Sequence, residues 1–361
     1  MLSEMPSGLS ASAKRHTSAG CGGNQEMLWA AKVSFVSSRP NNFGCLTPRL
    51  NRPGSGLPLR LKRAWRVNRA RDNIRGMFED AEPVDVALAP SVEEFAERYV
   101  RPERPVIVRG AIKDWPPSYK WTPEYLKAMY GTRSLNIGVS TNGVYVDYAE
   151  RLKIGVEPKV AFAKAVDSIF APANADEKCR VHQQPLHTWG ALDEESPPIQ
   201  YVLRKALNKN IWMGSTGNVT KTHYDMEDNI NIQLRGRKEI ILFSSTQLDE
   251  LYPRSAWDHM SNFSRVEIEK PDLSRYPRFS RATPFRAILE PGDFIYIPIY
   301  WWHHFRTLEA SLNVNFWWQA RVDQALRRQG LHYWPRMARD RYLHRAIWRT
   351  FVDPIGSFFA R

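Results

Sequence analysis

Cysteine is scarce: the 361-residue chain holds Cys21, Cys45 and Cys179, too few and too scattered for a disulfide framework or a CxxC-type zinc site. The expectation is a reducing, intracellular compartment. Long apolar runs are also missing. None approaches the ~18 residues that a membrane-spanning helix needs, so no membrane contact is expected and the chain reads as soluble. Acidic residues are missing from the front: up to Arg75 the chain carries thirteen Lys and Arg against Glu4, Glu26 and Asp72, and this stretch holds most of the net charge of +13. It is rich in Ser, Gly, Pro and Asn with few periodic apolar residues, and residues 1–78 are expected to be a disordered basic extension. The Arg-rich, acid-poor bias also fits an organelle transit peptide. The first dozen residues contain no arginine and no amphipathic pattern, so the plain extension is the preferred reading.

What remains is ample for a core, with 43% hydrophobic and 12% aromatic residues over the chain. Folded structure is expected from Val84. Ser91 to Glu94 reads as a capping box ahead of Phe95, Tyr99 and Val100, and Pro105 to Arg109 as a strand. Thr122-Pro123 opens a short helix that stops at Gly131, SLNIGVS and VYVDY read as strands, and Lys159 to Phe170 as a longer helix. From Asn210 the pattern changes to short strands divided by turns, through NIWMG, TKTHYDM, NINIQL, EIILF, PFRAIL, DFIYIPI, HHFRTL and SLNVNFWW. That rhythm predicts a mainly β sandwich or barrel with flanking helices.

THYDMEDN carries the first chemical signal. Alternation in a strand puts His223 and Asp225 on one face and Tyr224 on the other, so the pair can grip one ion. The following strand sets Asn229, Asn231 and Gln233 on one side against Ile230, Ile232 and Leu234 on the other, giving one polar and one packed wall. A half-exposed sheet facing water explains the same pattern, and on these residues alone it is the better account. About eighty residues further on, EPGDFIYIPIYWWHHFRTLEASLNVNFWW supplies a histidine pair, His303 and His304. One of them can complete a two-histidine, one-carboxylate triad, which leaves three adjacent positions open on octahedral iron(II) and suits a bidentate cosubstrate plus dioxygen. Zinc more often closes its shell with four ligands. Lys238, after the Gly236 turn, could anchor a carboxylate as a point charge or simply be a solvated turn residue beside Arg235 and Arg237.

From Val84 to Trp318 the chain resembles the JmjC and cupin-like iron(II)/2-oxoglutarate oxygenases, in particular the branch that includes the asparaginyl hydroxylase factor inhibiting hypoxia-inducible factor. WMGSTGNVTKTHYDMEDNINIQLRGRKEIILF, Leu251 to Pro253, Pro271 to Phe279, PGDFIYIPIYWWHH and VNFWW carry the likeness. It implies a double-stranded β-helix (jelly-roll) core over residues 84–318 with an N-terminal α/β elaboration. It also implies His223, Asp225 and His303 as catalytic iron ligands, with His303 chosen over His304 by the resemblance and not by periodicity. Lys238 and Thr220 would then hold the distal carboxylate of 2-oxoglutarate, and Asn229 and Asn315 its metal-proximal end. A tyrosine, Tyr145 or Tyr148, would assist. Thr220 has the wrong strand parity for this role unless a bulge or a strand start intervenes. Phe305, Trp317 and Trp212 read as core or pocket walls.

The implied reaction couples oxidative decarboxylation of 2-oxoglutarate by O2, giving succinate and CO2, to hydroxylation of a substrate C–H bond. The expected substrate is a protein or peptide side chain. The alternatives are RNA modification of the wybutosine type, histone demethylation, and a cupin that binds without turnover. In the segment 319–361, Tyr342, Leu343, Ala346, Ile347 and Phe351 form an apolar stripe with Arg341, Arg345 and Arg349 on another face. By resemblance it implies a homodimer through C-terminal helices.

Overall fold

The computed structural model describes residues 78–332, apart from 80, 146–158, 259, 320 and 326. Residues 1–77, Tyr148 and the stripe from Tyr342 to Phe351 lie outside the described residues. Among those described, no helix is long and apolar enough to cross a membrane.

The front half supplies short strands, β1 (Glu82–Pro83), β2 (Asp85–Leu88), β3 (Val106–Arg109), β4 (Ser134–Asn136), β5 (Gly138–Ser140), β6 (Lys159–Ala161) and β7 (Lys178–Pro185). The strand-rich half supplies β8 (Ala206–Gly214), β9 (Val219–His223), β10 (Glu227–Arg235), β11 (Lys238–Phe243), β12 (Pro284–Leu289), β13 (Phe294–Ile297), β14 (Trp302–Thr307) and β15 (Ser311–Gln319). They form an eight-stranded sheet in the order β2-β3-β13-β10-β15-β8-β7-β5 and a five-stranded sheet in the order β1-β12-β11-β14-β9. From β8 onward the chain passes between the two sheets at nearly every turn, which is the jelly-roll path expected of a double-stranded β-helix.

The cores follow from alternation. On β10 the residues Ile230, Ile232 and Leu234 join Val314 and Phe316 of β15 in a cluster with Phe95, Trp121, Phe162 and Trp189 of the helical front half. Ile240 and Leu242 of β11 pack with Ile295, Ile297 and Phe305 in a second cluster, between the sheets. Ile241, Phe243 and Trp302 point the other way and are covered by Leu248, Leu251, Val266, Ile268 and Phe279 from the long β11–β12 connection. Each sheet is therefore apolar where it meets a neighbour, and the polar faces of β10 and β15 are left for the interior end of the sandwich.

The capping signals are where the sequence places them: the Ser91 hydroxyl accepts from the Glu94 N–H at 3.0 Å and the Thr122 hydroxyl from Tyr125 N–H at 3.1 Å. Two expectations need correction. The helix expected over Lys159 to Phe170 spans Phe162–Phe170, because Lys159–Ala161 pairs with β4 as a strand and the Phe162 N–H still bonds to the Arg133 carbonyl at 2.7 Å. SLNIGVS is two strands and not one, β4 pairing with β6 while β5 pairs with β7, with Ile137 between them.

Near the start of β10, where it pairs with Trp318, Asp228 serves the fold. It is 5% exposed, and one carboxylate oxygen accepts from the Tyr296 hydroxyl at 2.8 Å and the Ile299 N–H at 3.1 Å. Burial outweighs these bonds and raises its pKa to about 6. A raised carboxyl pKa means that the folded state holds the proton more tightly, so stability falls as pH climbs from the ordinary value of 3.8 to about 6. Asp228→Asn keeps an acceptor for both donors without the charge. It is expected to be more stable than the parent above pH 6, by up to ~3 kcal/mol for a shift of about two units, and equal to it near pH 4, as read from denaturant melts across pH.

Candidate metal centre

The smaller sheet builds the centre row by row. His223, the last residue of β9, pairs directly with His303 of β14, which pairs in turn with Leu242 of β11. One row deeper, Thr220 pairs with Phe305 and Phe305 with Ile240; one row deeper again, Thr307 pairs with Lys238. Cross-strand partners share a face, so the two histidines, Thr220, Phe305 and Lys238 all look into the sandwich. Thr220 reaches this face because β9 has a bulge: between the pairs His223–His303 and Thr220–Phe305, two residues of β9, Lys221 and Thr222, stand against one of β14, His304.

Asp225 has left the ladder. Its carbonyl accepts from the Tyr300 N–H at 3.0 Å, and Tyr300 sits at φ 64, a left-handed turn that aims this N–H at the loop. The Trp317 indole N–H donates to Asp225 Oδ2 at 3.0 Å. Asp225 Oδ1 then lies 3.8 Å from His223 Nε2 and Oδ2 3.7 Å from His303 Nε2, and the candidate ligand atoms of the three residues fall within 4.8 Å of one another.

The imidazoles are oriented in the same way. His223 Nδ1 lies 2.8 Å from the Lys221 carbonyl and His303 Nδ1 3.0 Å from that of Trp301. A carbonyl can only accept, so each Nδ1 carries the proton and each Nε2 presents a lone pair to the common point. Phe263 stacks on His223 with centroids 4.8 Å apart. Burial first, then the neighbouring His303, pull the His223 pKa down to about 4, against the attraction of Asp225. At neutral pH it is uncharged and ready to ligate. Two imidazoles and one carboxylate on one side of a point, with no further ligand closing the other side among the described residues, fit a facial iron(II) site better than a closed zinc site.

His304, which periodicity could not separate from His303, is turned to the opposite face, against Thr222 and Glu269. Lys238 follows a turn that needs glycine: Gly236 has φ 65, and a Cβ there would sit 2.1 Å from the Ala310 carbonyl oxygen. The lysine stem is half-buried, its amino group bonds to Asn313 Oδ1, and it lies 5.9 Å from the Phe305 ring. Burial alone lowers its pKa to about 7.

The larger sheet supplies the facing wall. Asn231, Asn315 and Asn210 are successive cross-strand partners, as are Gln233, Asn313 and Trp212. Asn315 is held at both ends, its Oδ1 by the Trp212 indole N–H at 2.6 Å and its Nδ2 on Asn229 Oδ1 at 3.3 Å. Asn231 Oδ1, Gln233 Oε1 and Asn210 Nδ2 are buried without a partner among the described residues, as expected of a wall that faces a polar guest. Tyr145, also buried, gives its hydroxyl to Asn218 Oδ1, with the Arg180 guanidinium 3.8 Å over its ring. Sequence reasoning missed Asn313, the partner of Lys238. The period-two repeat in SLNVN, which puts Asn313 on the face of Asn315, carries that signal.

Residues 92–324 match the family of the cupin-like domain, and the chain belongs to that family. Its relatives include Lysine-specific demethylase 8 of Xenopus tropicalis, 31% identical over 233 residues, covering 63% of this chain and 51% of the relative. Lysine-specific demethylase JMJ30 of Arabidopsis thaliana is 32% identical, covering 65% and 54%. The Bifunctional peptidase and (3S)-lysyl hydroxylase JMJD7 of Homo sapiens is 26% identical, covering 65% and 83%. The chain spans about half the length of the first two. These relatives support a cupin-like JmjC oxygenase carrying the HxD…H triad, and give no support to the asparaginyl-hydroxylase branch in particular.

The three-residue assignment has a direct readout. The purified protein is expected to bind one equivalent of cobalt(II) by calorimetry at pH 7.5, and His223→Ala, Asp225→Ala and His303→Ala each to lose that binding. Uptake is expected to weaken as the pH is lowered toward 4, where His223 takes a proton.

Proposed function

We propose that the protein is an iron(II)- and 2-oxoglutarate-dependent dioxygenase that hydroxylates a side chain of a protein substrate. The observation that carries this reading is the convergence of Asp225 with His223 and His303, the two histidines standing two rows above Lys238 on one face of the same sheet. Iron(II), when bound, supplies the dioxygen chemistry: one oxygen atom goes to the carboxylate of succinate as CO2 leaves, and the other goes into a substrate C–H bond. The protein's part is to bind and to orient.

Lys238 is the group for the distal carboxylate of the cosubstrate. Its amino group, desolvated by burial, is nearly as stable neutral as charged near pH 7, and an arriving carboxylate would restore the charge. Thr220, brought to the same face by the bulge, is placed to share that carboxylate. Asn229 and Asn315, already coupled to each other, offer amide groups to the proximal end. Tyr145 acts further back, through Asn218, at the start of β9.

The mouth is aromatic. Trp212 and Trp317 meet at 6.1 Å and 82°, and His182 packs on Trp212 at 4.7 Å. The two indoles spend their N–H groups on Asn315 and Asp225, which leaves ring surface for a guest. Such surfaces favour a long cationic side chain over a short amide, since a desolvated lysine or arginine gains ~2 kcal/mol over an indole face. The names of the lysine-directed relatives point the same way.

Succinate release from 2-oxoglutarate with iron(II) and a peptide library tests the reading. Turnover is expected with Lys- or Arg-centred peptides and is expected to vanish in His223→Ala. Turnover with RNA oligonucleotides alone would move the protein to RNA modification, and cosubstrate binding without succinate would make it a binding module. Affinity for 2-oxoglutarate is expected to fall by up to about tenfold per pH unit above about 7 as Lys238 loses its proton, and Lys238→Met is expected to weaken binding and flatten that profile.

A further inference from the structure

The bulge that brings Thr220 to the metal face leaves a weak point between the two ligand strands. Lys221 and Thr222 together stand opposite the single residue His304, and a bulge interrupts the ladder where it occurs. Thr222 is next to one ligand, His223, and His304 is next to the other, His303. Both are buried, at 3% and 5% exposure, and neither faces the metal point. Their polar atoms meet behind the sheet, Thr222 Oγ1 and His304 Nδ1 at 3.3 Å, and His304 Nε2 lies 3.1 Å from Glu269 Oε1. A carboxylate accepts, so His304 donates through Nε2, and its Nδ1 shares a hydrogen bond with the Thr222 hydroxyl. Glu269 is held by Arg306, whose Nε donates at 2.8 Å, and the Thr222 carbonyl accepts from Ser264 N–H at 2.9 Å. The assembly floors a cleft of about 650 Å³ whose wall includes Phe263, the ring stacked on His223.

We propose that Thr222, His304 and Glu269 form a brace that sets the spacing of the two metal-binding histidines from the far side of the sheet. The brace replaces the ladder bonds lost at the bulge with a side-chain link whose ends each lie one residue from a ligand. Rotation of either strand about its own axis would swing a ligand off the common point, and the link opposes that rotation. Thr222 and His304 are positioning residues; they touch neither metal nor substrate.

The inference rests on the metal assignment above, and cobalt(II) titration of the metal-free protein by calorimetry and visible absorption separates the two. Absence of one-equivalent binding in the parent would sink the assignment itself. Given binding in the parent, Thr222→Val, which removes the hydroxyl at constant shape, is expected to weaken cobalt(II) by about 10-fold to 100-fold and to alter its d–d bands. The melting temperature of the metal-free protein is expected to stay near that of the parent. Thr222→Ser, which keeps the hydroxyl, is expected to restore both affinity and spectrum. Glu269→Gln, at the solvent-facing end, is expected to give a smaller weakening in the same direction. Parental affinity and spectrum in Thr222→Val would overturn the brace, as would equal losses in Thr222→Val and Thr222→Ser. If Thr222→Val does not fold, parental binding and spectrum in Glu269→Gln overturn it.

Discussion

The pairing of His223 with His303 across β9 and β14 is the constraint on which the rest of the site depends. It fixes two ligands at the separation of neighbouring strands, with ring centroids 4.2 Å apart, before any metal arrives. The third ligand is then a matter of one short loop, and the loop is tied down from three directions. Tyr300 holds the Asp225 carbonyl, Trp317 its carboxylate, and Asp228 locks the return of the chain into β10 against Tyr296 and Ile299. Pre-organisation of this kind keeps metal binding from having to order the chain, and it explains why a charge-bearing residue such as Asp228 is retained in the core at a cost in stability.

Electrostatics along the inner face runs from one end to the other. Near the ligands, burial keeps His223 uncharged; two rows down, burial takes Lys238 close to neutrality. The inner face therefore carries little net charge beyond Asp225, and the proposed dianionic cosubstrate, with iron(II) at one end and the Lys238 ammonium at the other, would complete the balance of charge. The buried acceptors of Asn231 and Gln233 belong to the same arrangement, because a polar atom left without a partner in the protein is tolerable only where something else comes to meet it.

How much of this was legible beforehand depended on whether the signal was local. The short strands, the caps at Ser91 and Thr122 and the polar wall of β10 all follow from spacing within a few residues, and the structure has them. The choice of His303 over His304 and the reach of Thr220 to the metal face were not legible from alternation: the first turns on the register of β14 against His223 and Leu242, the second on one inserted residue in β9, and both are set by pairing between strands remote in sequence. The strand at Lys159–Ala161 was hidden for a related reason: its partner, β4, is remote in sequence, and Val160 and Ala161 suit a helix as well as an extended chain. Met226, Glu227 and Asp228 gave no sign of their roles either. Met226 packs against the outer cluster, Glu227 opens β10, and Asp228 is the buried anchor.

The two sheets contribute unequally to the interior. The metal ligands, Thr220 and Lys238 come from the smaller sheet or the loop that leaves it, whereas Trp212, Trp317, Asn229, Asn313 and Asn315 come from the larger one. The two halves are bonded to each other across the interior, Trp317 to Asp225 and Lys238 to Asn313. A change in the aromatic and amide wall is therefore felt on the side opposite: loss of the Trp317 indole would loosen Asp225 and loss of Asn313 would release the Lys238 amino group, so neither half of the sandwich is free to drift without the other.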